Sequence, residues 1–599
     1  MGAEALTLVG LLERAGGSSR VGLRLLDRAE EARWSPWSDI AERARRVRGG
    51  LQALGVKPGD RVALVYPTSF EFVEAFFGVL LAGAVPVPLY PPVQLGRLDE
   101  YLARTGRMLE QVGVSLVLAD RRVRRVLGQA VLAASPPLGC RAHHELPDTL
   151  GAPEKVGADD LALVQFSSGT TAAPHPVALT HRAVTAHVRL LNSLWPDRDG
   201  LVHSGVSWLP LYHDMGLIGC LFPALERPGT LTLIPPELFV ARPAVWLRAV
   251  SRYRATISAA PNFAYGLCLD RVADEELEGV DLSSWRFALN GAEPVTPRVL
   301  RAFSERFAAW GLRPEALTPV YGLSEATLAV TFSALDRGFS CRCFDRERLA
   351  RDGEAVEAPD GIEIVSAGRP LPGVRLRIVD ADRNDRADAQ VGRVLVKGPS
   401  LMAGYLGQAE ATALALEDGW LDSGDLGFLL AGELYLTGRA KDVIILRGRN
   451  HSPHDLEAAV EAIDGVRRGC SVAVSHLPAG ADAERLLLLV EARRGIPGAA
   501  YAALAEDCAA AVRRAVGLSP DLVEVLAPGT LPRTSSRKLR RAEALRRRLD
   551  GTLEPPPRVT PLRLAGSVVR SSLAMMGSER GRGRTAPGPR RRRARRRPS

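Results

Sequence analysis

The stretch LVQFSSGTTAAPHPVALTH, residues 163–181, is the one on which the interpretation of the whole chain depends. It begins inside an apolar run, residues 161–166, whose length predicts a buried strand. The turn that follows, SSGTT, places four hydroxyl groups around one glycine. Such small side chains and open backbone N–H groups can surround a polyphosphate. No Gly-Lys-Ser/Thr triplet follows, so the turn is not a Walker A loop. A plain polar turn is the alternative.

Composition indicates an ordinary globular protein with one unusual end. The 599 residues are 46% hydrophobic and 24% charged, enough for two or more domains. The net charge is +10, but residues 580–599 contain ten arginines and no acidic residue. The remainder of the chain is therefore electrically balanced. This excludes a polyanion-binding role based on overall charge.

Cysteine usage and hydropathy predict a cytoplasmic protein without a membrane span. The seven cysteines are an odd number and form no CxxC pair, as expected for reduced thiols. Glu4 stands where a signal peptide would carry basic residues. The most apolar region, residues 72–89, is interrupted by Glu74, Gly83 and Pro86, which makes it a poor membrane span.

Apolar periodicity predicts an α/β fold. Helices are expected at 37–54, 69–82 and 98–112, alternating with strands at 61–66, 84–89 and 115–119. This βαβ order implies a parallel sheet flanked by helices. From residue 367 to about 437, short strands with frequent Gly and Asp predict a β-rich subdomain. We therefore predict an N-terminal domain over 1–438, a small α+β domain over 439–550 and a disordered Arg-rich tail over 551–599.

Eight segments, taken in order, carry a family resemblance. They are SSGTTAAP (167–174), WLPLYHDMGLIG (208–219), APNFAY (260–265), NGAEPV (290–295), YGLSEAT (321–327), WLDSGDLG (420–427), GRAKDVIILRGRNHSPHDLE (438–457) and LPRTSSRKLRR (531–541). Together they resemble the adenylate-forming, or acyl-activating, superfamily. The closest similarity is to fatty-acyl-AMP ligases, the long-chain fatty acid adenylyltransferases. The resemblance covers roughly residues 5–549.

The resemblance implies that the chain binds ATP and Mg²⁺. The implied ligands of the phosphates are Ser167, Ser168, Gly169, Thr170 and Thr171, and those of the metal are Ser167 and Glu325. Adenine would lie against Tyr321 and Gly322 and beside Gly291, Ala292 and Glu293. The ribose hydroxyls would bind Asp425 and Arg439.

The implied chemistry is the attack of a fatty-acid carboxylate on the α-phosphorus of ATP. A carboxylate is already ionised at neutral pH, so the site must supply positive charge and hydrogen-bond donors, with no general base. The family's catalytic lysine matches Lys538, and the hinge of a mobile C-terminal domain matches Lys441. A basic helix face is the alternative for Lys538. The implied wall of the acyl pocket consists of His213, Asp214, Met215, Gly216, Phe263 and Tyr265, with Gly448, Arg449 and Asn450 along the pantetheine path.

An apparent insertion bears on the acyl acceptor. Gly368 follows Tyr321 by 47 positions, and CRCFDRERL (341–349) lies between them. It resembles the insertion of fatty-acyl-AMP ligases, which restrains the hinge and disfavours transfer to CoA. The implied partner is an acyl carrier protein, or the carrier domain of a polyketide or lipopeptide synthase. A variable surface loop is the alternative.

The phosphate-binding segment departs from the family pattern. His175 and Pro176 stand where the family usually has Lys and Gly, and Arg537 stands where it usually has Gly. A histidine is shorter than a lysine, and a proline removes one N–H. These changes predict weaker anion binding. A fatty-acyl-CoA ligase and a non-catalytic adenylate-binding homologue therefore stay open.

The tail offers a further alternative, attachment to nucleic acid or to an anionic membrane. Residues 590–597 contain seven arginines and one alanine. This run has no aromatic residue for base stacking and no apolar face for membrane insertion. We therefore predict no specific nucleic-acid partner.

Overall fold

The computed structural model describes residues 7–92, 95–167, 174–195, 203–446, 449–478, 484–534, 538–557 and 561–582. Side chains are described for these residues except 95, 561–564 and 576–582. Strands and helices alternate through the N-terminal domain, and strands dominate from residue 362 to residue 439. The predicted α/β class is therefore confirmed.

One parallel sheet is built by the predicted βαβ units. Its strands, in spatial order, are Val85–Leu89, Arg61–Val65, Leu116–Ala119 and Cys140–Ala142. The helix Phe70–Leu81 begins after Ser69, whose side chain accepts a hydrogen bond from the N–H of Phe72 at 3.2 Å. Such a cap satisfies an otherwise unpaired donor and fixes the helix start. The predicted elements of this region are confirmed to within one or two residues.

A longer mixed sheet carries much of the candidate site. In spatial order its strands are Arg369–Pro370, Ala329–Phe332, Leu317–Gly322, Phe287–Asn290, Ile257–Ala260, Gly205–Ser207, Leu231–Leu233, Gly22–Leu26 and Ala32–Pro36. The strands from Leu317–Gly322 to Gly22–Leu26 run parallel, and the outer pairs are antiparallel. The carboxyl ends of parallel strands share one edge of a sheet, so the loops after them lie together.

Antiparallel strands complete the N-terminal domain. One sheet comprises Gly404–Tyr405, Pro176–Thr180 and Leu161–Phe166. Another comprises Arg375–Val379, Gly392–Lys397, Trp420–Leu430, Leu416–Glu417 and Glu433–Arg439. A hairpin pairs Cys341–Phe344 with Ile362–Val365. The predicted strand at 161–166 and the β-rich region are both confirmed.

The C-terminal part, residues 444–549, has its own sheets. Ile444–Leu446 pairs with Arg449–His451, and Val466–His476, Arg485–Ala492 and Leu522–Leu526 form a second sheet. Its hydrophobic core is built from side chains such as Leu456, Val460 and Leu488, which are fully buried. This separate core agrees with the predicted small α+β domain, whose boundaries stay a prediction.

The helices cover the faces of these sheets. Those of seven or more residues are Leu8–Gly16, Trp37–Ala53, Phe70–Leu81, Leu98–Gln111, Gly128–Ala134, His181–Leu194, Ala244–Arg252, Asn262–Arg271, Pro297–Phe307, Arg346–Asp352, Ala409–Ala415, Pro453–Glu461, Tyr501–Val516, Arg541–Leu549 and Pro561–Arg582. Shorter ones include Arg121–Arg124, Asp214–Gly216, Phe222–Glu226 and Pro236–Ala241. None of the helices in the described ranges is long and apolar enough to cross a membrane.

The segment after residue 550 differs in part from the prediction of disorder. The helix Pro561–Arg582 packs against Gly128–Ala134 of the N-terminal domain. Ser571 is 1% exposed, and its Oγ accepts a hydrogen bond from the N–H of Gly128 at 2.7 Å. Val568 and Met575 pack against the adjacent core. The prediction failed here because few apolar residues, spaced for one contact face, are enough to fix this helix.

Candidate active site

A cleft of about 2910 Å³ lies between the N-terminal domain and the C-terminal part. The loops after Ile257–Ala260, Phe287–Asn290 and Leu317–Gly322 form one wall, as the shared edge of parallel strands requires. The other wall includes Lys538, Leu539, Arg541 and parts of 450–471. Residues from distant positions in the chain therefore line one cleft.

The predicted adenine segment is packed backbone against backbone. A Cβ on Gly322 would lie 1.8 Å from the carbonyl oxygen of Leu328, and one on Gly291 would lie 2.5 Å from that of Val320. Both positions therefore require glycine. Ala292 has φ of 68°, a left-handed conformation that is uncommon for a residue with a Cβ. Ala292 and Glu293 line the cleft, and Glu293 Oε1 accepts from the N–H of Phe263 at 2.5 Å.

Asp425 and Arg439, the predicted ribose ligands, cluster with Tyr321, the residue predicted to lie against adenine. The Tyr321 hydroxyl donates to Asp425 Oδ2 at 2.7 Å, and Arg439 Nε lies 3.1 Å from Asp425 Oδ1. Both carboxylate oxygens of the buried Asp425 thus contact protein groups, one through a hydrogen bond and the other through an ion pair. Burial raises the pKa of Asp425 above its ordinary value, whereas Arg439 and Tyr321 oppose that shift.

Glu325 and Ser167, the predicted metal ligands, are joined through other residues. The hydroxyl of Tyr405 donates to Glu325 Oε1 at 3.1 Å, and burial raises the pKa of Glu325. The ring of His175 lies 4.6 Å from the ring of Tyr405, centroid to centroid. The backbone N–H of His175 donates to Ser167 Oγ at 3.0 Å. The structure therefore brings both predicted ligands to one side of the cleft.

Lys538, the predicted catalytic residue, enters the cleft from the C-terminal part. Burial lowers the pKa of Lys538, Asp214, Glu293 and Asp425 oppose that shift, and Arg439 adds to it. The backbone N–H of Lys538 donates to Thr534 Oγ1 at 3.0 Å. The charges of three carboxylates of the N-terminal domain thus act on Lys538 across the cleft. A lysine on an outward basic helix face is not what this structure shows.

The predicted acyl wall is present only in part. His213, Asp214, Met215 and Phe263 line the cleft. Asp214 Oδ1 lies 2.5 Å from His213 Nδ1, and Ser324 donates to Asp214 Oδ2. Although burial opposes it, His213 and Ser324 hold the pKa of Asp214 well below its ordinary value.

Two predicted wall residues face elsewhere, which corrects the prediction. Tyr265 is fully buried, and its hydroxyl donates to the carbonyl of Leu289 at 3.0 Å. It follows Phe263 by two positions in the helix Asn262–Arg271, so the two side chains point to different sides. Gly216 is also buried, and a Cβ there would lie 2.4 Å from the carbonyl oxygen of Pro210. Both residues support the wall from behind.

Some predictions lie outside the described residues. They concern Ser168, Gly169, Thr170, Thr171, Arg537 and Gly448.

The predicted hinge residue, Lys441, is exposed at the cleft. Its neighbour Asp442 pairs with Arg541 through Oδ2 and Nη1 at 3.1 Å, and Arg541 also pairs with Glu457 at 2.7 Å. These ion pairs attach residue 442 to the C-terminal part. A hinge at Lys441 would therefore sit immediately before the attachment point.

The apparent insertion is a folded unit that reaches the C-terminal part. The helix Arg346–Asp352 follows the strand Cys341–Phe344. Arg346 lies 3.8 Å from Asp455, and Glu347 lies 3.1 Å from Arg449. The segment therefore has regular secondary structure, and the restraint of the hinge stays a prediction beside the alternative of a variable surface loop. Exposed ion pairs are individually weak, typically below about 1 kcal/mol.

Sequence reasoning missed three residues at or beside the cleft. Ser324 and Tyr405 line it and hydrogen-bond to Asp214 and Glu325, and Gln408 hydrogen-bonds to the ring of His175. Ser324 adjoins Glu325 inside a recognised motif and could have been proposed. Tyr405 and Gln408 lie more than 200 residues beyond His175, and only the pairing of Gly404–Tyr405 with Pro176–Thr180 brings them near.

Comparison with known proteins agrees with this architecture. Residues 20–406 match the family model described as AMP-binding enzyme. A Caulobacter vibrioides protein, provisionally named an acyl-CoA synthetase, is 37% identical over 90% of this chain and 94% of its own length. The medium-chain-fatty-acid–[acyl-carrier-protein] ligase JamA of Moorena producens is 33% identical over 92% of this chain and 96% of its own.

A solved structure from a study of fatty acyl-adenylate ligases of E. coli and L. pneumophila superposes with a TM-score of 0.85. It is 34% identical and covers 91% of this chain and 98% of its own. The chain belongs to the AMP-binding enzyme family and has the adenylate-forming fold of fatty acyl-adenylate ligases.

Proposed function

We propose that this protein uses ATP to convert a fatty acid into fatty-acyl-AMP, with release of pyrophosphate. It then transfers the acyl group to the phosphopantetheine thiol of an acyl carrier protein. The observation that carries the proposal is the meeting of Lys538 with Asp425, Arg439 and Tyr321 in one cleft. Neither wall of the cleft holds this set alone, so the arrangement requires the C-terminal part to be closed on the N-terminal domain.

The residues of the cleft have distinct roles in this proposal. Asp425 and Arg439 hold the ribose, with the Tyr321 hydroxyl fixing the carboxylate and its ring lying against adenine. Lys538 places an ammonium group between the substrate carboxylate and the α-phosphate. This cation offsets the negative charge that accumulates as the carboxylate oxygen bonds to phosphorus and pyrophosphate leaves. The apolar wall that includes Met215 and Phe263 receives the acyl chain.

The donor set fits Mg²⁺. In the described ranges no group of three or more His, Cys, Asp or Glu side chains could hold a metal by itself. Mg²⁺ bound with nucleotide typically uses one or two protein oxygen ligands together with phosphates and waters. Glu325 and Ser167 offer such oxygens on one side of the cleft. When bound there, the ion would neutralise phosphate charge.

A carrier protein is the favoured acceptor for two reasons. JamA, whose name specifies an acyl-carrier-protein acceptor, aligns along nearly the whole chain. The folded insertion contacts the C-terminal part, where it can restrain the rotation needed to admit CoA. The name of the Caulobacter relative supports the second candidate, a fatty-acyl-CoA ligase. We also propose a cytoplasmic location, since all seven cysteines are free.

Pyrophosphate release tests the first step. The purified protein is incubated with ATP, Mg²⁺ and single fatty acids of increasing chain length, and pyrophosphate is measured. We expect release that depends on the acid and is maximal over a narrow range of lengths. Nucleotide binding without release for any acid would favour a non-catalytic adenylate-binding protein.

A further inference from the structure

His175 occupies the position where family members usually carry a phosphate-binding lysine, yet its side chain is already engaged. Its Nδ1 lies 2.6 Å from Oε1 of Gln408, an amide oxygen that can only accept, so Nδ1 donates. One face of the imidazole covers the Tyr405 ring at 4.6 Å and a 30° interplanar angle. The ring is thus held on one edge and one face by residues of a distant segment.

Tyr405, whose ring contacts His175, in turn holds Glu325 through a hydrogen bond. Its hydroxyl donates to Glu325 Oε1 at 3.1 Å. Its backbone is fixed independently, because the strand Gly404–Tyr405 pairs with Pro176–Thr180 and the N–H of Tyr405 donates to Thr412 Oγ1 at 2.9 Å. The Tyr405 side chain can still rotate about its Cα–Cβ and Cβ–Cγ bonds, and the imidazole against its ring limits both rotations.

The backbone of His175 restrains Ser167 in parallel. The N–H of His175 donates to Ser167 Oγ at 3.0 Å, and the carbonyl of His175 accepts from the N–H of Ser167 at 2.9 Å. One residue therefore orients both proposed metal ligands, one through its backbone and the other through a stacked tyrosine.

We infer that His175 is a positioning residue for the metal site, acting on Glu325 through Tyr405, and is not a direct phosphate ligand. This inference rests on the proposed function, which assigns Glu325 and Ser167 to Mg²⁺. Residues that orient metal ligands commonly change metal affinity by about 10- to 100-fold when replaced. At position 175 a flexible lysine ammonium is thus replaced by a ring that holds the Glu325 carboxylate in place through Tyr405.

The test measures metal binding directly. Mn²⁺ replaces Mg²⁺ as a paramagnetic probe, and its affinity is measured by electron paramagnetic resonance with α,β-methylene-ATP, whose α–β linkage cannot be cleaved and which therefore cannot transfer AMP. The variants are Tyr405→Phe, His175→Ala and His175→Phe. Tyr101→Phe is the matched control, because it also removes a phenol hydrogen bond, to the carbonyl of Tyr90 at 3.0 Å, in another part of the domain. Circular dichroism verifies that each variant is folded.

We expect Tyr405→Phe and His175→Ala to weaken Mn²⁺ binding about tenfold. His175→Phe keeps the stacked ring and should weaken it by less than about threefold, and Tyr101→Phe should have no effect. A direct phosphate role predicts instead that His175→Phe is as harmful as His175→Ala. That outcome, or unchanged Mn²⁺ affinity in Tyr405→Phe, would overturn the inference. Failure of the proposed function would appear separately, as absent pyrophosphate release by the wild type.

Discussion

Replacing Lys538 by alanine should abolish adenylation but spare acyl transfer. Lys538 enters the cleft from the C-terminal part and lines it together with Asp214, Glu293 and Asp425. A unit charge about 4 Å from developing negative charge, at an effective dielectric constant of about 20, contributes about 4 kcal/mol. Its loss should therefore slow acyl-AMP formation by about a thousandfold. Transfer from supplied acyl-AMP should change little, since the proposed rotation of the C-terminal part withdraws Lys538 before the thiol attacks.

The two half-reactions are assayed separately. Acyl-AMP formation is followed by pyrophosphate release, and transfer is followed by mass spectrometry of the carrier protein after addition of synthetic acyl-AMP. Lys397→Ala is the matched control, because Lys397 Nζ donates to the carbonyl of Asp418 at 2.8 Å on the exposed β-rich subdomain. Equal losses in both half-reactions of Lys538→Ala would indicate a structural role and refute the reasoning.

Three further predictions address the insertion, the tail and pH. Replacing Arg346 and Glu347 by alanine removes two ion pairs to the C-terminal part, so turnover with CoA should rise while adenylation is unchanged. An unchanged preference between CoA and carrier protein would contradict the idea that the insertion restrains the C-terminal part. Truncation after residue 560 exposes the surface covered by the helix Pro561–Arg582, so it should lower Tm without abolishing ligase activity. The truncation should also remove any salt-sensitive affinity for DNA or anionic vesicles. Salt-resistant DNA binding by the truncated protein would instead indicate a nucleic-acid site in residues 1–560. Burial lowers the pKa of His181 and of His187 to about 4, so below pH 6.5 the unfolded chain binds more protons than the folded protein. Each histidine should therefore lower the free energy of unfolding by about 2 kcal/mol between pH 7 and pH 5. Denaturant unfolding that does not change over this pH range would contradict the prediction.

Local sequence was a sufficient guide to elements that local chemistry determines. Ser69 caps its helix, and the apolar run Leu161–Phe166 forms a strand with the predicted limits. The ordered motifs also predict a common site for Asp425, Arg439 and Lys538, and these residues line one cleft. Motif order succeeds here because each segment follows a strand or turn whose position the fold dictates.

The direction of individual side chains was beyond the same reasoning. The motifs predict both Phe263 and Tyr265 in the acyl wall, but the two residues lie on a helix, where positions two apart face different sides. The contacts of His175 depend on Tyr405 and Gln408, which reach it only through sheet pairing. A sequence comparison could therefore show that the lysine is missing, but not what the histidine does.

The most direct test of the proposed function is a competition between acyl acceptors in one reaction. The protein is supplied with ATP, Mg²⁺, a fatty acid that supports pyrophosphate release, a phosphopantetheinylated carrier protein and CoA at equal concentrations. Acyl-AMP, acyl-carrier protein and acyl-CoA are then quantified by mass spectrometry. We predict acyl-AMP formation followed by acylation of the carrier, with little acyl-CoA. Efficient acyl-CoA formation with no carrier acylation would contradict the proposal.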